Sequence, residues 1–191
     1  METIQYDIYA TLKFQSHYGR SLTFNVDERN KIYRSYWHFV NQLIFGKRNT
    51  HKLGLKIEAI QEFGEYGINP HLHTRIKNPN HLSISDTCIL LNTIWKAKFY
   101  EKAQATKYNH ITPIIDNKAV HSYNTKQHVV DLGITYSTND SVIDAQASLR
   151  RINNYLSKPH IKAIHTKATD EYPLHVAEAH SNYKRRRSIS V

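Results

Sequence analysis

With one cysteine, Cys88, in 191 residues, the chain has no internal disulfide to draw on, which fits a reducing, cytoplasmic setting. Cys88 sits in "TCILLNTIW", where a free cysteine reads as a small core hydrophobe rather than a nucleophile. That stretch is also the longest apolar run. It falls well short of the ~20 residues that span a bilayer. The first residues, "METIQYDIYATLKFQSHYGRSLTFN", alternate like a strand and lack the basic-then-apolar layout of a signal peptide. There is no Walker-type Gly-x-x-x-x-Gly-Lys-Ser/Thr, so an ATPase or helicase portion is not expected here. A His-Glu-x-x-His helix is missing too, which argues against a zinc-dependent hydrolase. No internal repeat and no linker divides the chain, and its length suits one domain with a real core.

Acidic residues are also scarce: 16 Asp and Glu face 26 Lys and Arg, a formal charge of +10. Such a balance favours polyanionic partners, nucleic acid above all. Thirteen tyrosines accompany the charge. Aromatic faces among cations suit single-stranded nucleic acid, whose bases can stack on them. The plain alternative is a basic protein with ordinary core tyrosines.

The elements alternate between strand and helix. "IQYDIYATLKF" (4–14) reads as a strand, and "RSLTFNV" could extend it as a hairpin. "DERNKIYRSYWHFVNQLIFGK", opened by Asp27 and closed by Gly46-Lys47, carries apolar residues at helical spacing. "LGLKIEAIQEF" (53–63) and "PHLHTRI" (70–76) form a second hairpin around "GEYGIN". Ser85 or Asp86 is expected to cap a helix over "TCILLNTIWKAKFYEKA". "HITPII" and "HVVDLGITY" read as short strands. "DSVIDAQASLRRINNYLSKP", from Asp140 to Pro159, reads as a further helix with Val142, Ala145, Leu149, Ile152 and Leu156 on one face. The pattern predicts an α+β fold on an antiparallel sheet. A domain over 1–165 and a flexible basic tail over 166–191, ending in "NYKRRRSISV", are expected.

Two histidines, His71 and His73, stand two apart on a predicted strand and so share a face, where side-by-side imidazoles can ligate one cation. Among 13 histidines about one His-x-His arises by chance, so the pair needs company. The preceding strand offers carboxylates: Glu62 is preferred, with Glu58 and Glu65 open. Two histidines and a carboxylate leave coordination positions vacant, as a catalytic metal requires.

The last helix carries Tyr155 and Lys158, three apart, with Arg151 four before the tyrosine. This flank lies beside the apolar stripe, so a partly exposed hydroxyl next to cations is expected. A phenol of pKa ~10 is a poor nucleophile at neutral pH unless cations or a metal stabilise its anion. The plain alternative is a boundary tyrosine with solvated neighbours.

Taken in order, "TLKF" (11–14), "NPHLHTRI" and "YLSK" resemble the three motifs of the HUH endonuclease superfamily. The likeness is to the single-tyrosine initiators (Rep proteins) of rolling-circle plasmids and single-stranded DNA viruses, and it covers about residues 4–162. The resemblance implies a central antiparallel sheet of about five strands with flanking helices. It further implies a sequence- or hairpin-specific single-stranded DNA nicking and joining enzyme that initiates rolling-circle replication. By this likeness Glu62, His71 and His73 would hold one Mg²⁺ or Mn²⁺. Tyr155 would form a 5′-phosphotyrosine link, with Lys158 positioning it or offsetting charge. A separate helicase is an implied partner unless the chain is an excised nuclease domain. Cytoplasm is the implied compartment, or a host nucleus for a virus of eukaryotes. The segment between Glu62 and His71 is about one residue longer than in comparable family members.

Phosphate contacts are expected among Arg151, Arg75, Lys77 and Arg48, with Arg20, Lys31, Arg34 and Lys47 as further candidates. Within the superfamily the rivals are a transposase, often with glutamine where Lys158 stands, and a relaxase, whose tyrosine precedes the histidines. From another class comes a non-catalytic nucleic-acid-binding protein, for which metal and Tyr155 would be irrelevant.

Overall fold

The computed structural model describes residues 5–13, 26–50, 54–62, 71–99, 109–117, 120 and 144–189. Its strands are β1 (Ile8–Lys13), β2 (Ile57–Glu62), β3 (His71–Ile76) and β4 (His110–Pro113). They form one open antiparallel sheet in the order β2-β3-β1-β4. α1 (Val26–Phe45) links β1 to β2, and α2 (Ile84–Ile94) lies between β3 and β4. β1 and β2 therefore run parallel with β3 between them, and β3 and β4 run parallel with β1 between them. This is the split βαβ arrangement, twice over. The α+β expectation is met. Of the expected strands, "HVVDLGITY" lies outside the described residues, as does the "RSLTFNV" extension up to Asn25, while Val26 opens α1.

Sheet and helices meet on one face. Leu72 and Ile76 of β3 join Ile8, Ala10 and Leu12 of β1 in the core. Against them α1 sets Tyr33, Tyr36, Trp37, Val40 and Ile44, all fully buried and spaced by three and four residues. α2 continues into a π-helical turn, Trp95–Phe99. The four-residue step keeps both rings on one side, stacked with centroids 6.0 Å apart. Tyr36 meets them edge-on at 5.1 and 5.5 Å. Its hydroxyl donates to the Leu91 carbonyl, and that of Tyr33 to the Leu12 carbonyl. Buried phenols are tolerable here because each polar tip has an acceptor. Truncating such an aromatic typically costs ~3–5 kcal/mol. Cys88 is buried in the same core, and burial pushes its thiol up to about 12, as suits a packing residue.

Helix ends explain several boundaries. Ser83, rather than Ser85 or Asp86, caps α2: its hydroxyl oxygen accepts from the Asp86 N–H at 3.0 Å. α1 stops at Gly46, whose φ of +84° is a left-handed conformation that favours glycine. α3 (Ala145–Leu156) begins after its cap Asp144, later than Asp140, and residues 140–143 lie outside the described set. Arg151 of α3 reaches the end of α1, donating through Nε to the Leu43 carbonyl (2.9 Å) and through Nη2 to that of Ile44 (2.7 Å). A guanidinium is well matched to carbonyls left unpaired at the negative end of a helix.

Pro159 begins α4 (Pro159–Ile189), a position where its missing N–H costs nothing. This one helix crosses the expected boundary at residue 165, and its contacts continue well past it. His165 meets Thr93, Glu171 pairs with Lys96, and the Tyr183 hydroxyl donates to Asp116 at 3.0 Å. α4 also packs on β4, the edge strand, where His110 faces His175 with ring centroids 5.4 Å apart and lies 3.8 Å from Glu178. The segment expected to be a tail is thus helical to Ile189 and tied to the domain as far as Tyr183.

Two outcomes follow from these contacts. Arg151→Ala, which strands two carbonyls, is expected to lower stability by ~2 kcal/mol in denaturant unfolding; an unchanged midpoint would deny the cap. The second concerns pH. Burial lowers the pKa of His110, with Glu178 raising it and Lys13 lowering it. Burial lowers that of His175 too, with His110 and Lys96 also lowering it and Glu171 and Glu178 raising it. The unfolded chain then binds more protons as pH drops below the ordinary value of ~6.5. The seam's contribution is complete above that value and is lost as pH falls through the lowered folded values. The thermal midpoint should fall between about pH 7.5 and about pH 5.5, and less so in His110→Gln/His175→Gln. An equal fall in that variant would clear the seam of responsibility.

Candidate functional site

β3 is paired on both sides and every residue in it is buried. Its odd-numbered residues turn away from the helices, because Leu72 and Ile76 turn toward them. His71 and His73 therefore lie side by side on the other face, 8% and 6% exposed. Their rings meet edge-on with centroids 4.6 Å apart and planes at 87°. On the β2 side the register sets Glu62 opposite His71, Ile60 opposite His73 and Glu58 opposite Arg75. On the β1 side Lys13, Thr11 and Tyr9 take the corresponding places.

The carboxylates sort themselves by register. Glu58 is ion-paired with Arg75, whose guanidinium also lies 4.9 Å from the centre of the Tyr6 ring. Glu65 lies outside the described residues, as does the side chain of Glu62. Among the described residues no three His, Cys, Asp or Glu side chains form a metal-binding group. Of the candidate cation donors, His71 and His73 lie side by side with Glu62 at the facing backbone position, and Glu65 stays open. A mixed imidazole–carboxylate set of this kind keeps positions open for water or a phosphate oxygen.

His73 is held from β1. Its Nδ1 lies 2.6 Å from the Tyr9 hydroxyl and 3.1 Å from that of Thr11. Tyr9 also stacks on the imidazole, with centroids 5.3 Å apart and planes at 17°. Tyr9 does not stand out in the sequence as part of a site, and Thr11 does so only as the first residue of the "TLKF" stretch. The signal available was the alternation Tyr9, Thr11, Lys13 on one face of the first strand; what was missing was that this strand pairs with the histidine strand.

Tyr155 is placed differently from expectation. α3 turns Ser148, Ile152 and Tyr155 inward, so the tyrosine lies in the buried stripe, not beside it. It is 8% exposed and belongs to the core on the helical side, with Phe39 edge-on at 5.4 Å. The hydroxyl is buried with no hydrogen-bond partner among the described residues. Burial pushes its pKa up to about 12, the reverse of what an activated nucleophile needs. Lys158 is exposed, its Nζ 5.8 Å from the ring centroid. The structure brings His71, His73 and the backbone of Glu62 together and leaves Tyr155 and Lys158 across the sheet from them.

The phosphate-contact candidates divide as well. Arg151 caps α1, Arg75 is buried with Glu58, and Lys77 pairs with Asp7 at 3.1 Å. Arg48 is exposed, as are Lys31, Arg34 and Lys47, whereas Arg20 lies outside the described residues. Among the described residues no helix is long and apolar enough to cross a membrane. The chain matches no protein-family model, no curated protein and no solved structure.

Tyr155→Phe deletes a buried hydroxyl that has no partner among the described residues, so it should leave the unfolding midpoint unchanged or raise it. A loss above ~1 kcal/mol would mean that the hydroxyl is bonded and the ring sits otherwise.

Proposed function

We propose that the chain is a metal-dependent enzyme that nicks and rejoins single-stranded or hairpin DNA, in the manner of HUH rolling-circle initiators. The observation that carries this reading is the register of the central strands, with His71 and His73 on one face of β3 and Glu62 opposite His71. The net charge of +10 supports a polyanionic substrate.

His71, His73 and Glu62 would hold one Mg²⁺ or Mn²⁺. When bound, the ion supplies Lewis-acid polarisation of the scissile phosphate. The Tyr155 oxygen attacks phosphorus and its proton passes to solvent. The bond from phosphorus to the 3′ oxygen breaks, and that oxygen leaves as a 3′-hydroxyl on taking up a proton. A 5′-phosphotyrosyl link remains, from which a later 3′-hydroxyl can reseal the strand without ATP. Lys158 offsets the negative charge that develops. For this attack α3 must release Tyr155 from Phe39, against the burial of Ile152 and the two Arg151 bonds. A helicase would be a separate partner.

One observation favours a second reading, a non-catalytic nucleic-acid-binding protein: Tyr155 is buried in the core on the helical face of the sheet, whereas the histidines lie on the other face. Labelled single-stranded and hairpin oligonucleotide pools with Mn²⁺ separate the two. The first reading expects a covalent protein–DNA adduct in wild type, lost in Tyr155→Phe and in His71→Ala/His73→Ala. Salt-sensitive binding without an adduct on any pool would sink it and leave the binding protein. An adduct that survives Tyr155→Phe would move the nucleophile to another tyrosine.

A further inference from the structure

We infer that Tyr9 and Thr11 are positioning residues for the metal-binding histidines: their hydroxyls hold His73 by Nδ1 and so aim the Nε2 lone pair at the ion. The inference rests on the metal-binding reading above and deepens it, adding a second strand to the site.

A neutral imidazole has one N–H and one lone pair, and only the lone pair can ligate. Which nitrogen becomes the ligand is set by the hydrogen bond that the other one makes. Two hydroxyl oxygens approach Nδ1 of His73, at 2.6 Å from Tyr9 and 3.1 Å from Thr11. Both oxygens can accept, so a proton on Nδ1 is shared between them, and the lone pair then falls on Nε2, the nitrogen that the two hydroxyls do not hold.

The hold extends to the ring plane. Tyr9 lies nearly parallel to the imidazole, at 17°, and His71 abuts it edge-on at 87°. Turning the His73 ring over would put Cδ2 where Nδ1 stands and break both hydroxyl contacts. The two hydroxyls are fixed in turn by the ladder, since Thr11 is the register partner of His73 and Tyr9 that of Arg75. Buried Thr11 gains the partner that a buried hydroxyl requires. β1 thus supplies orientation, and β3 the ligand atoms.

Two readouts on the full chain test this. Mn²⁺ binding is measured by calorimetry and by the electron paramagnetic resonance of the free ion. The variants are Tyr9→Phe, Thr11→Val and His71→Ala/His73→Ala. Long-range ¹H–¹⁵N spectra of the metal-free protein report the His73 tautomer. Expected are Mn²⁺ binding by wild type, its loss in the double-histidine variant, and a roughly 10–100-fold weakening in Tyr9→Phe. Thr11→Val, at the longer contact, should weaken binding less. The spectra should show Nδ1–H in wild type and a tautomer mixture in Tyr9→Phe, a change that a merely structural role would not produce. Wild-type affinity in both hydroxyl variants, or Nε2–H in wild type, would overturn the inference while leaving the metal reading intact. Failure of wild type to bind Mn²⁺ would sink the metal reading, and this inference with it.

Discussion

β3 hydrogen-bonds to β1 on one side and to β2 on the other, and the pleat then leaves each of its side chains only two directions. Leu72 and Ile76 take the direction of the helices, because their burial against Tyr33, Tyr36 and Trp37 is the largest apolar gain on offer. His71, His73 and Arg75 are left with the other. The polar face is therefore a by-product of the apolar one, and a slip of one residue would exchange them. That coupling ties the candidate site to the stability of the whole sheet.

The helical side obeys a different constraint. Among the described residues α3 packs on α1 and α4 and meets His81 through Ser148, and two groups on it favour the same rotation. Ile152 and Tyr155 seek burial, while Arg151 seeks the carbonyls at the end of α1. Both are satisfied by one rotation, in which the tyrosine hydroxyl is sealed away. Any chemistry at Tyr155 must begin by undoing an arrangement that packing and capping each favour.

Much of the fold was legible because it depends on local period. The α1 stripe, the β2–β3 hairpin and the shared face of His71 and His73 all follow from spacing of 3.6 or 2 residues. What pairs across the chain was not legible. Tyr9 and His73 are far apart in sequence, and no local signal announces that the first strand lies beside the third. The inward face of α3 was misjudged for a related reason. Val142, Ala145, Leu149, Ile152 and Leu156 make the more apolar stripe, yet Leu149 and Leu156 end half-buried. The large ring of Tyr155 against Phe39 and the reach of Arg151 outweigh two leucines, and neither contact is visible from the helix alone. The capping hydroxyl of α2 fell two positions from expectation for the ordinary reason that several neighbouring serines can cap.

The ladder closes between Glu62 and His71 before the chain departs into residues 63–70. Both ends of that connection are held by backbone pairing. The pairing of the two strands itself keeps the glutamate abreast of the histidine. An added or missing residue inside 57–62 or 71–76 would invert one face of the sheet. The pair of positions at the end of the ladder is thus held by the six-residue pairing of β2 with β3.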